Sequence, residues 1–580
     1  MNERPNLFHH YLSRTSLHAS LRLSLHTLSC ILFLVFAPNV TRGQSSEPLQ
    51  HLWEIQPNLG DIWTVNRLAQ SVSIDFDNLL SDQSQIRLET ARRICVNHDR
   101  PGFGDKAKAI ERLFRALTRA DESILNRRTL TSAACLLDDG THATKLWELS
   151  RNDPEANQEV QKALIRWRSD AALDYWRKVV LDPSSPALIT AIAIEGLGNI
   201  GTNEDQKTLN GILESESASI ELRSLAAESL GKIQSSGLST LARKYLESNL
   251  PGKDTIAAYL LIQHTDDESL QLLRSVHDKG TSIAKRIAAT CLARESPKIA
   301  EELMNAWKSD PDPHFRELAI QVASVSEPSK TLYVASSMLH DDEDRLRNLA
   351  RLQLLKLASM HREEIDAIIQ TELEGNDWKG MEQAIILLAE LGDASKCERL
   401  LELLDHPQAE VHMHAAWALR DLSQPGPLLD RIREKAFSWT DSLEKGTRTF
   451  GKSETIMLSL TLETFGRHKH EPAFAILAKY IPKNDFKMGN LARCSAIWSI
   501  GQIRKNSNDQ DLRAKLRERI KDLPPDKPEN YLVRFACILA LGEFGFKDSK
   551  EIIDQFGGAP PNLLGWASAW AREQMDKSDK

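Results

Sequence analysis

Apolar and polar positions follow a helical period along most of the chain, and the pattern is clearest at residues 220–233, IELRSLAAESLGKI. The positions expected to face inward lie on one side of an α-helix and are Leu222, Leu225, Ala226, Ser229, Leu230 and Ile233. Ala226, Ala227 and Gly231 carry little side-chain bulk, so a second helix can approach closely there. The stretch therefore predicts a helix that packs tightly against a neighbour.

Related stretches recur at a nearly constant interval. When each is aligned on the position of Gly231, the equivalent positions from Asp138 to Arg420 are 30 to 34 residues apart over nine intervals. This spacing is the length of two short helices and two turns. One such hairpin cannot bury its apolar stripe alone, so hairpins must stack. The pattern predicts an all-α chain, an α-solenoid of about 14 helical hairpins at residues 81–575.

Residues typical of caps and turns separate the predicted helices. In residues 309–316, SDPDPHFR, Asp310 or Asp312 is expected to cap the second helix, with a proline in its first turn. Gly201, Gly392 and Gly545 follow helical stretches. We expect each of these glycines to end its helix in the left-handed conformation.

Four stretches carry a family resemblance: DPDPHFRELAIQVA at 310–323, ELRSLAAESLG at 221–231, HPQAEVHMHAAWALRDL at 406–422 and YLVRFACILALGEFG at 531–545. They resemble the HEAT repeat, specifically the short HEAT-like repeats first associated with bilin lyases, and the resemblance covers roughly residues 80–550. It implies a right-handed superhelix of the armadillo and HEAT type. Because this repeat family serves scaffolds, adaptors and a few enzymes, the resemblance indicates a fold rather than one activity.

Three intervals are longer than the rest, and the extra residues include 100–106, 438–453 and 522–530. Insertions in solenoids lengthen loops on one face and often serve binding. We therefore expect three long loops, with an inert role as the alternative to binding.

The two ends of the chain differ from its middle. Three arginines precede an apolar run at residues 23–37, and polar residues follow the run. This organisation predicts a signal peptide at residues 1–43 and export to the periplasm or the outside, with an uncleaved N-terminal anchor as the alternative. Residues 44–80 are expected to form a capping or partly ordered segment, and residues 576–580 a disordered tail. No later stretch approaches a membrane span.

Charge and cysteine usage narrow the choice of partner. The sequence carries 73 Lys and Arg against 81 Asp and Glu, and removal of residues 1–43 leaves 69 against 80, a net charge of −11. An acidic exported protein is a poor candidate for non-specific nucleic-acid binding. The six remaining cysteines lack paired spacing, so buried thiols are expected rather than a disulfide or zinc framework. They are Cys95, Cys135, Cys291, Cys397, Cys494 and Cys537.

One motif matches a phosphate-binding P-loop in spacing: Gly446, Gly451, Lys452 and Ser453. Such a loop must follow a buried strand that positions its backbone N–H groups. The preceding residues 438–445 are polar and do not form a strand pattern. A flexible loop is therefore expected here instead of a nucleotide site.

The remaining side chains do not form a recognisable reactive set. His412 and His414 are two residues apart on a predicted helix, so they point in different directions and cannot chelate one metal. His468 and His470 lie in a polar turn, where solvated side chains are expected. The basic stretch at 512–521 is expected to be a solvated helix face. We therefore assign no catalytic residue, cofactor or metal. Tryptophans within helices are expected in the core: Trp307, Trp417 and Trp498.

These features favour a non-enzymatic exported scaffold that binds another protein along the concave face of the solenoid. Binding side chains are expected at the starts and inner faces of the second helices, and the candidates are Arg223, Arg316, Arg347, His412, Arg493 and Arg534. The alternative is an enzyme-associated or lyase-like chaperone that holds a small molecule in the solenoid groove. Nucleic acid is disfavoured by the charge.

Overall fold

The computed structural model describes residues 74–99, 103–483, 488–524, 527–545, 547–557 and 563–577. These residues form 29 α-helices joined by turns and short 3-10 helices, and they contain no β-strand. The predicted signal peptide and residues 44–73 of the predicted capping segment lie outside this part of the chain. None of the helices described is both long and apolar enough to cross a membrane.

Consecutive helices pair into hairpins, and we number the helices so that each hairpin has an even first helix and an odd second helix. The first helices are α2 (Lys106–Leu117), α4 (Ala143–Ser150), α6 (Leu173–Leu181), α8 (Gln206–Glu214), α10 (Ser239–Glu247), α12 (Asp267–Lys279), α14 (Pro297–Lys308), α16 (Pro328–Ser337), α18 (Arg362–Glu374), α20 (Cys397–Leu403), α22 (Pro427–Glu444), α24 (Phe474–Leu477), α26 (Gln510–Lys521) and α28 (Lys550–Gly557).

The second helices are α1 (Ser84–Asn97), α3 (Ile124–Leu137), α5 (Pro154–Trp167), α7 (Ala187–Ile200), α9 (Ile220–Ile233), α11 (Lys253–Leu260), α13 (Ser282–Glu295), α15 (Pro313–Val325), α17 (Asp344–Leu357), α19 (Trp378–Glu390), α21 (Ala409–Leu422), α23 (Lys452–Arg467), α25 (Asn490–Ile503), α27 (Tyr531–Phe544) and α29 (Leu563–Lys577). A 3-10 helix, Phe76–Leu80, takes the place of a first helix before α1. Helix α29 continues past residue 575, and residues 578–580 lie outside the described residues.

Each second helix packs against the second helices before and after it, from α1 to α29, so these helices form one unbroken layer. Each first helix packs mainly on its own second helix and makes few contacts with the neighbouring first helices. The prediction of an all-α solenoid of stacked hairpins is therefore confirmed. Helix α9 has the bounds that the apolar pattern predicts.

Small residues set the spacing within the second-helix layer. A methyl group added at Gly231 would lie 2.2 Å from the carbonyl oxygen of Tyr259, and one at Gly466 would lie 2.6 Å from the Cα of Ser499. Both distances are far below van der Waals contact, so glycine is required for this approach. The close approach predicted from Gly231 is confirmed, and it recurs several repeats later.

Serine hydroxyls bridge the second helices where they approach most closely. The Ser229 hydroxyl donates to the carbonyl of Ile194 at 2.8 Å, and the Ser499 hydroxyl donates to the carbonyl of Leu462 at 3.0 Å. Ser229 is two residues before Gly231, and Ser499 is two residues before Gly501. In both repeats, therefore, a serine donates a hydrogen bond to the preceding second helix and a glycine follows it two residues later. The two repeats are far apart in sequence.

The buried side of α9 differs from the predicted stripe. Ala226, Ser229 and Leu230 are buried as expected, but Leu222 and Leu225 are only half-buried, while Ala227 and Glu228 are buried. The reason is that α9 has a neighbour on each side, α7 and α11, as well as its own first helix. Contact on several sides widens the buried surface beyond one amphipathic stripe.

Helix ends follow the predicted capping chemistry with one exception. Asp312 caps α15 by accepting the backbone N–H of His314 at 3.0 Å, and Pro313 occupies the first position of that helix. Gly392 and Gly545 adopt the left-handed conformation, with φ of 66° and 75°. The expectation for Gly201 is wrong, since its φ is −64° and its backbone is extended.

Two of the three insertions contribute ordered structure that the sequence did not indicate. Residues 438–444 belong to helix α22, in which Trp439 and Leu443 are buried, so this insertion lengthens a first helix before the loop begins. The segment 522–530, described except for residues 525–526, brings Glu529 into the interior, where it is 4% exposed. Of the segment 100–106, residues 100–102 lie outside the described residues.

Candidate functional site

The second helices present a stripe of side chains away from their first helices. In α17 this stripe consists of positions 2, 5, 9 and 13 of the helix, which are steps of three and four and therefore lie on one face. All four are exposed: Arg345, Asn348, Leu352 and Lys356. We call the face formed by the equivalent residues of successive second helices the second-helix ridge. Each second helix contributes one central residue to the ridge, Leu352 in α17. That residue is three positions before the one that aligns with Gly231.

Before α19 the ridge is open on some helices, although its central residue on α9, Glu228, is buried. On α7, α13 and α17 it carries large apolar side chains that are well exposed, Leu188 at 40%, Ile283 at 56% and Leu352 at 42%. Polar residues such as Arg286 and Asn348 surround them. An exposed face that alternates apolar and polar side chains along several stacked helices has the composition of a protein-binding surface.

The ridge is enclosed from α19 onward. Its central residues on α19, α21, α23, α25 and α27 are all buried: Ile386, Trp417, Glu463, Trp498 and Leu539. The rings of Trp417 and His414 meet edge to face with centroids 6.3 Å apart. The prediction that Trp307, Trp417 and Trp498 are buried is confirmed.

Buried charges cross the second-helix layer from α17 to α21, where the central ridge residue changes from exposed Leu352 to buried Ile386. Glu382 of α19 is 2% exposed and lies 3.6 Å from the Arg347 guanidinium of α17 and 3.5 Å from the His414 imidazole of α21. Burial raises the pKa of Glu382 to about 7, against the opposing charge of Arg347. A carboxyl group with this pKa changes charge near neutral pH, which makes it a candidate functional group.

A second buried carboxylate lies further along the layer. Glu463 of α23 is fully buried, 3.6 Å from the guanidinium of Arg420 on α21 and 3.5 Å from that of Arg467. Burial raises the pKa of Glu463, although both arginines oppose the shift. Sequence reasoning missed this residue, but a signal was present. Glu463 is the only charged residue in the run MLSLTLETF, and it aligns with Glu228.

The six residues predicted to bind a partner share one structural position. Each is the fourth residue of its second helix and bonds to a backbone carbonyl near the end of the preceding first helix or in the turn between the two. Arg223 donates to Leu213 at 2.9 Å, Arg534 to Ile520 at 3.1 Å, and His412 lies 3.0 Å from the carbonyl of His406. The predicted residues therefore close their own hairpins and do not form one site.

Arg493 has the most complete set of partners of the six. Its guanidinium donates to the carbonyls of Tyr480 and Ile481, both at 3.2 Å, and pairs with both carboxylate oxygens of Glu529 at 2.8 and 2.9 Å. Burial alone would raise the pKa of Glu529, but its bonds with Arg493 hold it below the usual value. The insertion at 522–530 thus supplies a partner for a hairpin-closing arginine.

Arg316 and Arg347 act together at one turn. Arg316 pairs with both carboxylate oxygens of Asp341 at 2.7 and 2.9 Å, and Arg347 donates to the carbonyl of Asp341 at 2.9 Å. Arg347 also pairs with Asp344. His340 pairs with Glu372 of α18 and Asp342 pairs with Lys379 of α19, so the residues 340–344, HDDED, join three hairpins.

The other candidate motifs have structural explanations. Helix α22, not a strand, precedes the residues that match a P-loop, and Gly451 donates its N–H to Glu454 at 2.8 Å, so a carboxylate of the chain itself occupies the start of α23. In the basic helix α26, Arg513 and Arg517 both pair with Asp548 of the next hairpin. Only part of this predicted solvated face is exposed, since Arg513 is 6% exposed.

The histidines contact carbonyl groups within the fold, and most of the cysteines are buried there. His414 lies 2.8 Å from the carbonyl of Glu410, and His468 lies 3.2 Å from that of Arg420. Among the residues described, no group of three or more His, Cys, Asp or Glu side chains is arranged to hold a metal ion. Five of the six described cysteines are buried and Cys95 is half-buried. Burial raises the pKa of Cys95 to about 11 and that of Cys291 to about 12, so these thiols remain protonated at neutral pH.

Comparison with known proteins gives similarity of fold only. No protein-family model and no curated protein sequence matches the chain. Among solved structures, the chain is similar to importin beta, with 12% identity over 88% of this chain and 72% of that protein and a TM-score of 0.44. It is also similar to yeast importin-beta, with 11% identity over 90% of this chain and 79% of that protein and a TM-score of 0.41. In fold, the chain is similar to these HEAT-repeat solenoids.

Proposed function

We propose that the chain is a non-enzymatic exported scaffold that binds another protein along the second-helix ridge. The observation that carries this proposal is the open ridge on α7, α13 and α17, where Leu188, Ile283 and Leu352 stand exposed among polar residues. A few large apolar anchors within a polar surround supply most of the binding energy in protein interfaces. The protein partner would bind across several hairpins at once.

The packing supports placing the partner on the side of the second helices. Second helices contact one another along the whole stack, while first helices make few contacts with one another. In a curved stack the more closely spaced layer lies on the inside of the curve. The ridge is therefore the concave face in this proposal, as the sequence predicted for the binding surface.

The six residues at the fourth position of their second helices are secondary candidates for contact with the partner. Their side chains already bond to carbonyl groups, so a partner would meet them at the edge of the ridge where the second helices begin. The ridge residues are the better candidates because their side chains extend away from the first helices. Membership of the bilin-lyase-type repeat subfamily stays a prediction from the sequence motifs.

A matched pair of substitutions tests the ridge. Leu352 on α17 and Tyr333 on α16 belong to the same hairpin and are 42% and 55% exposed, but only Leu352 lies on the ridge. With the partner captured from the extracytoplasmic fraction, Leu352→Glu is expected to weaken binding at least about tenfold, and Tyr333→Glu to leave it unchanged. Equal effects of both substitutions, or a purified chain that turns over a small molecule without a partner, would contradict the proposal.

Export is tested separately by the mass of the protein in the cell. A cleaved leader predicts a mature chain that begins at Gln44 and is recovered outside the cytoplasm. A full-length mass in the membrane fraction would support the alternative of an uncleaved anchor. A full-length mass in the cytoplasm would rule out both.

A further inference from the structure

Ionic contacts hold the boundary between α17 and α19, as they do at other boundaries in the second-helix layer such as those between α15 and α17 and between α21 and α23. Arg351 of α17 donates to Gln383 of α19 at 3.1 Å and pairs with Glu390. Arg347 reaches Glu382 at 3.6 Å, and Lys379 pairs with Asp342. At this boundary the central residue of the ridge changes from exposed Leu352 on α17 to buried Ile386 on α19. We call these contacts, together with those of His340 to Glu372 and Asp377, the α17–α19 joint.

His340 is the residue of the joint whose geometry depends on its charge. It ends the 3-10 helix Met338–His340 that extends α16. One ring nitrogen, Nε2, lies 3.1 Å from the carboxylate of Glu372, and the other, Nδ1, lies 3.0 Å from the carboxylate of Asp377. A neutral imidazole has only one N–H and can donate to only one carboxylate. Satisfying both carboxylates requires the imidazolium form.

The two carboxylates belong to the next hairpin and are fixed by it. Glu372 lies in the last turn of α18, with a side chain that is 10% exposed. Asp377 caps α19 by accepting the backbone N–H of Lys379 at 2.9 Å. A methyl group at Gly380 would lie 2.1 Å from Glu372 and 2.6 Å from the His340 ring, so the first turn of α19 closes directly over the pair. His340 thus links one hairpin to both helices of the next.

The other charged groups around the joint pair with residues other than His340. Asp341 is paired with Arg316 of α15, and Asp342 is paired with Lys379 of α19. Arg347 of α17 donates to the carbonyls of Asp341 and Asp342. The charged groups that face the imidazole itself are therefore Glu372 from α18 and Asp377 from the start of α19.

We propose that the α17–α19 joint is a pH-sensitive hinge that tightens on acidification and joins the open ridge of α17 to the ridge that is enclosed from α19 onward. Protonated His340 holds both carboxylates of the next hairpin. Loss of its proton leaves one carboxylate without a donor at this position. The orientation of the open ridge relative to the enclosed ridge then becomes less restricted.

The direction of the pH effect follows from the pKa shifts of His340 and Glu382. The hydrogen bond to Glu372 raises the pKa of His340, so its stabilising contribution is present below the unfolded value of about 6.5 and is lost as pH rises through the folded value. Glu382 acts in the same direction because its pKa is raised to about 7 by burial. In both cases the folded joint holds a proton that the unfolded chain has released.

Hydrogen exchange on the full mature chain tests the hinge. We expect the protection of peptides covering residues 338–344 and 372–380, after correction for intrinsic rates, to be several-fold higher at pH 6 than at pH 8. His340→Gln keeps a hydrogen-bonding side chain without titration, and it should remove most of this pH ratio. Glu372→Gln provides a second variant if His340→Gln does not fold, and it should lower the ratio because the imidazolium loses its main partner.

A matched histidine supplies the control. His264 is fully buried and accepts the backbone N–H of Leu238 at 3.3 Å, and burial lowers its pKa, so it acts as a neutral acceptor. His264→Gln should leave the pH ratio of residues 338–344 unchanged. A wild-type ratio of one overturns the proposal. So does a His340→Gln or Glu372→Gln protein that keeps the wild-type ratio.

Discussion

At the scale of single residues, the fourth position of the second helices has a recurring task. Arg223, Arg493 and Arg534 occupy it in three hairpins, and each donates to carbonyls near the end of the preceding first helix. Those carbonyls lack partners within their own helix, so a long donor on the next helix satisfies them. The sequence showed that the position recurs, but its partners depend on how the two helices meet.

The number of bonds made by the fourth-position residue predicts how much its substitution lowers the free energy of unfolding. Arg493→Ala removes the two short bonds of buried Glu529 and leaves it only the guanidinium of Arg519, at 3.6 Å, as a charged partner. The substitution is expected to lower the free energy of unfolding by about 3 kcal/mol. Arg223 makes one carbonyl bond and is half-buried. Arg223→Ala is therefore expected to cost about 1 kcal/mol. Equal losses in denaturant unfolding of the two variants would show that Glu529 contributes nothing to the difference.

Glu382 predicts a pH dependence of stability. Its pKa is raised to about 7 in the folded chain, so the folded state holds a proton that the unfolded state releases above about 4.5. Wild-type stability should therefore fall as pH rises from 4.5 to 7, on the order of 3 kcal/mol from this group. Glu382→Gln should flatten the curve of melting temperature against pH. Glu363→Gln, at an exposed residue of α18, should leave the curve as it is in the wild type.

At the scale of the helix, the apolar period located most elements but not the full extent of burial. Helix α9 has the predicted bounds, because its period and its cap at Ser219 are local properties. Burial of Glu228 could not be read from the same stretch, since it depends on α7 and α11, which lie in other repeats. Residues 438–444 were predicted as a loop because they are polar, yet they extend α22 by burying Trp439.

Close helix packing predicts opposite effects at two helical glycines. Gly466→Ala places a methyl group 2.6 Å from the Cα of Ser499 and is expected to destabilise the chain by about 1 to 3 kcal/mol. Gly211, within α8, has open space around it. Gly211→Ala should therefore stabilise α8 by up to about 1 kcal/mol through helix propensity alone. Thermal unfolding of both variants distinguishes the effect of helix packing from that of helix propensity. A Gly466→Ala variant that is more stable than the wild type would contradict the close packing at Gly466.

At the scale of the whole molecule, repetition made the fold predictable and left the site unpredictable. A constant interval repeats one packing problem many times, so a single solution extends along the chain. The ridge depends instead on which repeat is considered. Leu352 and Trp417 occupy equivalent positions, yet the first is exposed and the second is buried. Such differences arise from neighbouring helices, and a single repeat does not encode them.

Photo-crosslinking across the two layers tests the central claim most directly. A photoreactive amino acid would replace Ile283 or Leu352 on the ridge, and Tyr333 or Phe437 on first helices, all of which are exposed. Irradiation in intact cells should crosslink one defined protein from both ridge positions and from neither first-helix position. Crosslinks that form from the first helices, or that form equally from all four positions, would contradict binding along the second-helix ridge.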